Sequence, residues 1–80
     1  MTKSVFTDRY ARLLRELIAA RKSADLTQEQ VAKRLGRHQS FIAKIEQGQR
    51  RLDVVEFLDI ADVLCADPHA IIERVRKSGS

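Results

Sequence analysis

Eighty residues, 44% hydrophobic and 32% charged, make one small globular domain rather than a disordered chain. No apolar run is long enough to span a bilayer and no signal-peptide pattern opens the chain, so the sequence predicts neither a membrane protein nor a secreted one. A lone cysteine, Cys65, excludes an intrachain disulfide framework and suits a reducing cytoplasm, while a net charge of +4 favours an anionic partner.

The first helix is expected at about residues 8–23, capped by Thr7 rather than Ser4, after a frayed N-terminal stretch. Tyr10, Leu13, Leu14, Leu17 and Ile18 recur at three- and four-residue steps and give it one apolar stripe. Arg21 continues that stripe. A charge on an inward face needs a partner, and Glu46 is the natural one. The spacing predicts an Arg21–Glu46 salt bridge; the alternative is that both head groups reach solvent.

Thr27 opens a second helix, about 28–35, with Gln30 completing a Thr-x-x-Gln capping box. Leu26, just before the cap, is placed to staple onto Val31. Counting Gln28 as one, Val31, Leu35, Ile42 and Ile45 fall at positions 4, 8, 15 and 18, the inward positions of two helices packed together. Ala32 allows close approach, and Gly36 can take the positive φ of a sharp turn. The third helix is expected at about 39–47, so residues 28–47 read as a helix-turn-helix with Gln39, Ser40 and Lys44 pointing outward.

Gly48 ends that helix, and a polar loop leads to a fourth at about 53–65, opened by an Asp53–Glu56 capping box. Val54, Phe57, Leu58, Ala61 and Leu64, with Ile60, are its expected buried stripe, and its acids are a solvated face. Cys65 reads as a small core or boundary residue. Asp67-Pro68 starts a fifth helix, about 68–76. Its consecutive Ile71 and Ile72 diverge by about 100°. One side completes the core, and Ile71, Ile72 and Val75 are the candidate dimer surface. The fold class is therefore all-α, five helices in a single domain.

Charge is unevenly spread. Lys33 to Arg51 holds six basic residues and one acid; Asp53 to Asp67 holds five acids and no base. A polyanion is drawn to the first stretch and repelled by the second.

With LTQEQVAKRLG, QSFIAKIEQG and LDVVEFLDIADVL in place, the chain resembles the lambdoid phage repressor and Cro family, the XRE-type DNA-binding domains, over about Leu13 to Leu64. The resemblance implies a five-helix repressor-like domain, with the helix-turn-helix as helices two and three. It implies bacterial or phage origin and dimers on operator DNA. It also implies pairing at the positions of Arg21 and Glu46, base reading at those of Gln39, Ser40 and Lys44 with Ala43 close by, and phosphate binding at that of Gln28.

Chemistry gives these positions their expected roles. Gln39 can pair bidentately with adenine, Ser40 reads less strictly, Lys44 can donate to guanine or hold a phosphate, and Ala43 can touch a thymine methyl. Gln28, Arg37, His38 and Arg50 are the candidate phosphate ligands. His38 is a weak capper where the family often has Ser or Thr, and Arg37 is bulkier than usual. Phe41 is expected to pack against the first motif helix rather than stack on a base. Arg51 and Lys33 can be read as solvated charges.

Catalysis finds no support. His38, His69 and Cys65 have no metal-ligand spacing, no Gly-rich phosphate loop is present, and Asp59 and Asp62 lie on an exposed face. No enzyme activity, metal or cofactor is expected. The expected protein is a cytoplasmic, nucleoid-associated homodimeric regulator on a pseudo-palindromic double-stranded operator, with RNA polymerase as a possible further contact. The second reading is an antitoxin-like or other protein-interaction module in which DNA binding is secondary.

Overall fold

Five helices build the described residues: α1 Asp8–Ser23, α2 Gln28–Leu35, α3 Gln39–Glu46, α4 Val54–Val63 and α5 Pro68–Lys77. The computed structural model describes residues 7–78. The fraying expected before Thr7, the alternative cap Ser4 and the last two residues fall outside that range.

Each start has its own chemistry. Thr7 Oγ1 accepts from the Tyr10 amide at 3.1 Å. At α2 the box is reciprocal: the Gln30 amide donates to Thr27 Oγ1 at 3.1 Å and the Thr27 amide to Gln30 Oε1 at 2.8 Å. Asp53 and Glu56 repeat that arrangement at α4, at 2.7 and 3.1 Å. Asp67 caps α5 through the His69 amide, with Pro68 in the first turn. His38 precedes α3 without a side-chain cap bond.

The core gathers Tyr10, Leu14 and Leu17 of α1, Val31 and Ala32 of α2, Ile42 and Ile45 of α3, Phe57, Ile60, Ala61 and Leu64 along α4, and Ile71 of α5. No polar or charged residue is fully buried among the described residues. Leu13, Leu26, Leu35 and Val75 pack partly buried against this cluster. The Tyr10 hydroxyl accepts from the Leu52 amide at 3.2 Å, which pins the loop after α3 onto α1. On the other side of α1, Glu16 accepts from Arg12 at 2.8 Å and from Arg74 of α5 at 2.7 Å. Burial pushes the Glu16 carboxyl up, but these two guanidiniums more than reverse it, and its pKa ends below the ordinary value.

Three expectations about burial need correction. Val54 is 72% and Leu58 42% exposed, although the sequence pattern puts both in the α4 stripe. The core takes Phe57, Ile60, Ala61 and Leu64, one face at i, i+3, i+4 and i+7; Leu58 is turned about 100° off it, and Val54 lies in the first turn, beyond the packed length. Ile71 is 1% exposed, so it belongs to the core and not to a dimer surface; its neighbour Ile72 is the one left open, at 48%. Cys65 is exposed and in the left-handed region at φ +54°, a helix-end residue rather than a core one.

Candidate nucleic-acid interface

Packing of α2 on α3 decides which side chains reach solvent. Val31 and Ala32 face Ile42 and Ile45 inside, and Gly36 at φ +70° turns the chain between the helices. Gln39, Ser40 and Lys44 are then exposed on α3, with Ala43 half-buried beside them. Arg37 and His38 are exposed at the turn. No side chain caps the first turn of α3; the Phe41 amide turns back to the His38 carbonyl at 3.0 Å.

Behind this face runs a chain of directed hydrogen bonds. Arg21 grips Glu46 with two of them, Nε to Oε2 at 2.7 Å and Nη2 to Oε1 at 3.0 Å. Its third group, Nη1, donates to the Leu26 carbonyl at 3.0 Å. With side-chain exposures of 14% and 12%, this pair is largely withdrawn from water and ties α1 to α3. Gln28 Nε2 donates to Glu46 Oε1 at 2.8 Å, and Gln39 Nε2 donates to Gln28 Oε1 at 2.7 Å. Gln28, expected as a phosphate ligand, thus has its carbonyl oxygen and one N–H directed to protein; its second N–H remains for a phosphate.

A second assembly flanks α3. The Arg37 guanidinium lies 3.7 Å from the Phe41 ring centroid, and that of Arg50 lies 4.7 Å from it. Arg50 also binds Glu56 through two bonds of 2.9 Å. Hydrogen bonding from Arg50, and then from the Asp53 amide, holds the Glu56 carboxyl below its ordinary value, and the same contact raises Arg50. Arg50, expected as a phosphate ligand, is thus partly engaged by a carboxylate and a ring, with its side chain still 38% exposed. Phe41 packs half-buried in the groove between the end of α2 and α4, alongside Leu35 and Ile60. Sequence reasoning missed Glu56 as the partner of Arg50. The capping box already gives Glu56 a role, and the irregular loop before α4 hides the pairing.

An apolar groove lies away from this face, between α4 and α5. Leu13, Leu52 and Phe57 line it, Val54, Leu58 and Ile72 border it, and Asp53, His69 and Glu73 stand at its edges. Among the described residues, no helix is long and apolar enough to cross a membrane, and no group of His, Cys, Asp or Glu is placed to hold a metal ion.

A short helix presenting amide, hydroxyl and ammonium groups beside a basic turn defines a helix-turn-helix DNA-binding domain. Comparison with known proteins agrees: a family model described as a helix-turn-helix domain matches residues 9–71. A solved XRE-family like protein from Pseudomonas syringae pv. tomato str. DC3000 is 46% identical, with a TM-score of 0.82, over 85% of this chain and 83% of that one. No match was found among curated proteins. The chain belongs to the XRE-type helix-turn-helix family of DNA-binding regulators.

Proposed function

We propose that the protein is a sequence-specific regulator of transcription that binds a pseudo-palindromic operator as a homodimer, with α3 of each protomer in successive major grooves about 34 Å apart. One observation carries this reading: the outward side chains of α3 are short-range hydrogen-bonding groups, and the foremost, Gln39, is held from behind by Gln28. Gln39 and Lys44 read bases, with Ser40 and Ala43 supporting them. Arg37, His38 and the second N–H of Gln28 bind phosphates. Arg50 contributes by supporting Phe41 beneath α3.

The dimer forms through the α4–α5 side, where Ile72, Leu58 and Val54 are exposed, with Val75 at the margin. Regulation then follows from occupancy, by blocking RNA polymerase or by touching it. The protein works in a bacterial or phage-infected cytoplasm, on the nucleoid. The apolar groove also favours a second reading, an antitoxin-like module in which that groove holds a partner protein.

Selection of bound sequences from random DNA tests the first reading. It should return an inverted repeat with half-sites about one helical turn apart. Affinity for the selected site should fall steeply with salt. Gln39→Ala should relax the preference at one position per half-site, whereas Arg37→Ala should weaken all sequences alike. If selection returns no motif and binding to random DNA is equally tight, specific recognition by α3 is wrong.

A further inference from the structure

We propose that Glu46, which lies behind the recognition face, fixes the base that Gln39 selects by setting the direction of every hydrogen bond between them. The inference rests on the reading that Gln39 meets a base edge.

The argument starts from donor and acceptor inventories. The Glu46 carboxylate only accepts, and both its oxygens face donors: Arg21 Nε on Oε2, and Arg21 Nη2 with Gln28 Nε2 on Oε1. A Gln side chain is nearly symmetric in shape and antisymmetric in chemistry. Turned the other way, Gln28 would set its own oxygen against Glu46 Oε1. Gln28 must therefore give its N–H to Glu46, and its Oε1 faces outward. Gln39 meets that oxygen and must answer with Nε2, as it does at 2.7 Å. Oε1 and one N–H of Gln39 remain for the DNA. An acceptor beside a donor matches adenine N6–H and N7.

Reversal of the chain gives the opposite code. If Gln28 could present its N–H to Gln39, Gln39 would turn its oxygen inward and leave both N–H bonds pointing at the DNA. Two donors suit guanine, whose O6 and N7 both accept. Only the acceptor-only character of Glu46 separates these two states, because an amide at position 46 can donate as well as accept. Glu46 is thus a positioning residue, acting through Gln28 and never touching DNA.

The test compares selected binding sites for the full chain and three variants: Gln39→Ala, Glu46→Gln and Gln28→Ala. Gln39→Ala locates the position that Gln39 reads. At that position Glu46→Gln should lower the preference for adenine over guanine about tenfold, with guanine as the base that gains, while preferences elsewhere persist. Gln28→Ala should relax the same position without disturbing the Arg21–Glu46 pair, and it carries the test if Glu46→Gln does not fold by circular dichroism. A general loss of stability would lower affinity for all sites without favouring guanine at one position. If Gln39→Ala shifts one position and a folded Glu46→Gln leaves it unaltered, the inference fails and the reading of α3 stands. If Gln39→Ala shifts nothing, the reading of α3 fails and the inference with it.

Discussion

The α2–α3 face and the α4–α5 face treat exposed side chains in opposite ways. On the first, outward groups are polar and several are oriented from behind: Gln39 by Gln28, Gln28 by Glu46, Glu46 by Arg21. On the second, hydrocarbon lies open, with Val54, Leu58 and Ile72 each more than 40% exposed. A polar surface that reads a polyanion gains selectivity from fixed donors and acceptors, since misdirected groups cannot pair. An apolar surface needs no such direction, and its affinity comes from area withdrawn from water. On this difference rests the proposal of recognition for one face and association for the other.

The largest effect should come from the root of the polar chain. Arg21→Ala leaves the Glu46 carboxylate withdrawn from water without its guanidinium and also strips a donor from the Leu26 carbonyl. A loss of about 3 kcal/mol is expected from breaking such a pair, measured by urea unfolding. Replacing both partners with Met should cost less than either single loss, because no charge is then stranded. The comparison sharpens further in the folded fraction. Arg21→Ala keeps an acceptor facing Gln28, so it should weaken stability while leaving base preference in place. A loss below about 1 kcal/mol would mean that solvent already screens the pair, and that the polar face is not rooted in the core.

On the apolar side, Ile72→Asp should raise the dimer dissociation constant about tenfold or more while the monomer stays folded, read by sedimentation and circular dichroism. Ile72 is half exposed on the single chain, so the change places a carboxylate where the partner must exclude water. Operator affinity should fall with it, since each half-site then binds alone. Undiminished dimerisation would detach association from this face and leave the groove to another protein.

The sequence made the helix starts legible because Thr27, Asp53 and Asp67-Pro68 each have a local reason to cap. It made the Arg21–Glu46 pair legible because a charge on an apolar stripe asks for a partner. It could not orient α4. Apolar residues at 54, 55, 57, 58 and 60 leave no single stripe, so which of them are covered depends on where α1, α2 and α5 sit. Nor could it direct Gln28, because a glutamine at a helix N-terminus reads the same whether it serves a phosphate or a neighbouring side chain. Nor does the sequence pair Arg50: its loop position suggests solvent, and only the fold brings Glu56 and Phe41 to it.

The helix ends extend the contrast between the two regions to the backbone. Helices α1 to α4 all close with the same pair of bonds; at α2 the Arg37 amide reaches the Ala32 carbonyl and the Gly36 amide that of Lys33. This closure needs one left-handed residue. Around α3 that residue is glycine, Gly36 and Gly48; after α1 and α4 it is Asp25 at φ +61° and Cys65 at φ +54°. The residues that follow differ too. Leu26 and Ala66 pack against the core, which offsets the strain before them, while Arg37 and Gln49 are exposed. A Cβ at Gly36 would meet nothing within 4 Å, so Gly36→Ala should cost about 1 kcal/mol through φ alone. Cys65→Gly removes the same strain but frees the unfolded chain, and should stabilise by about 0.5 kcal/mol. Thermal unfolding of both variants checks the signs. If Cys65→Gly destabilises, its side chain contributes more than its backbone strain costs, and the two kinds of helix end are not equivalent.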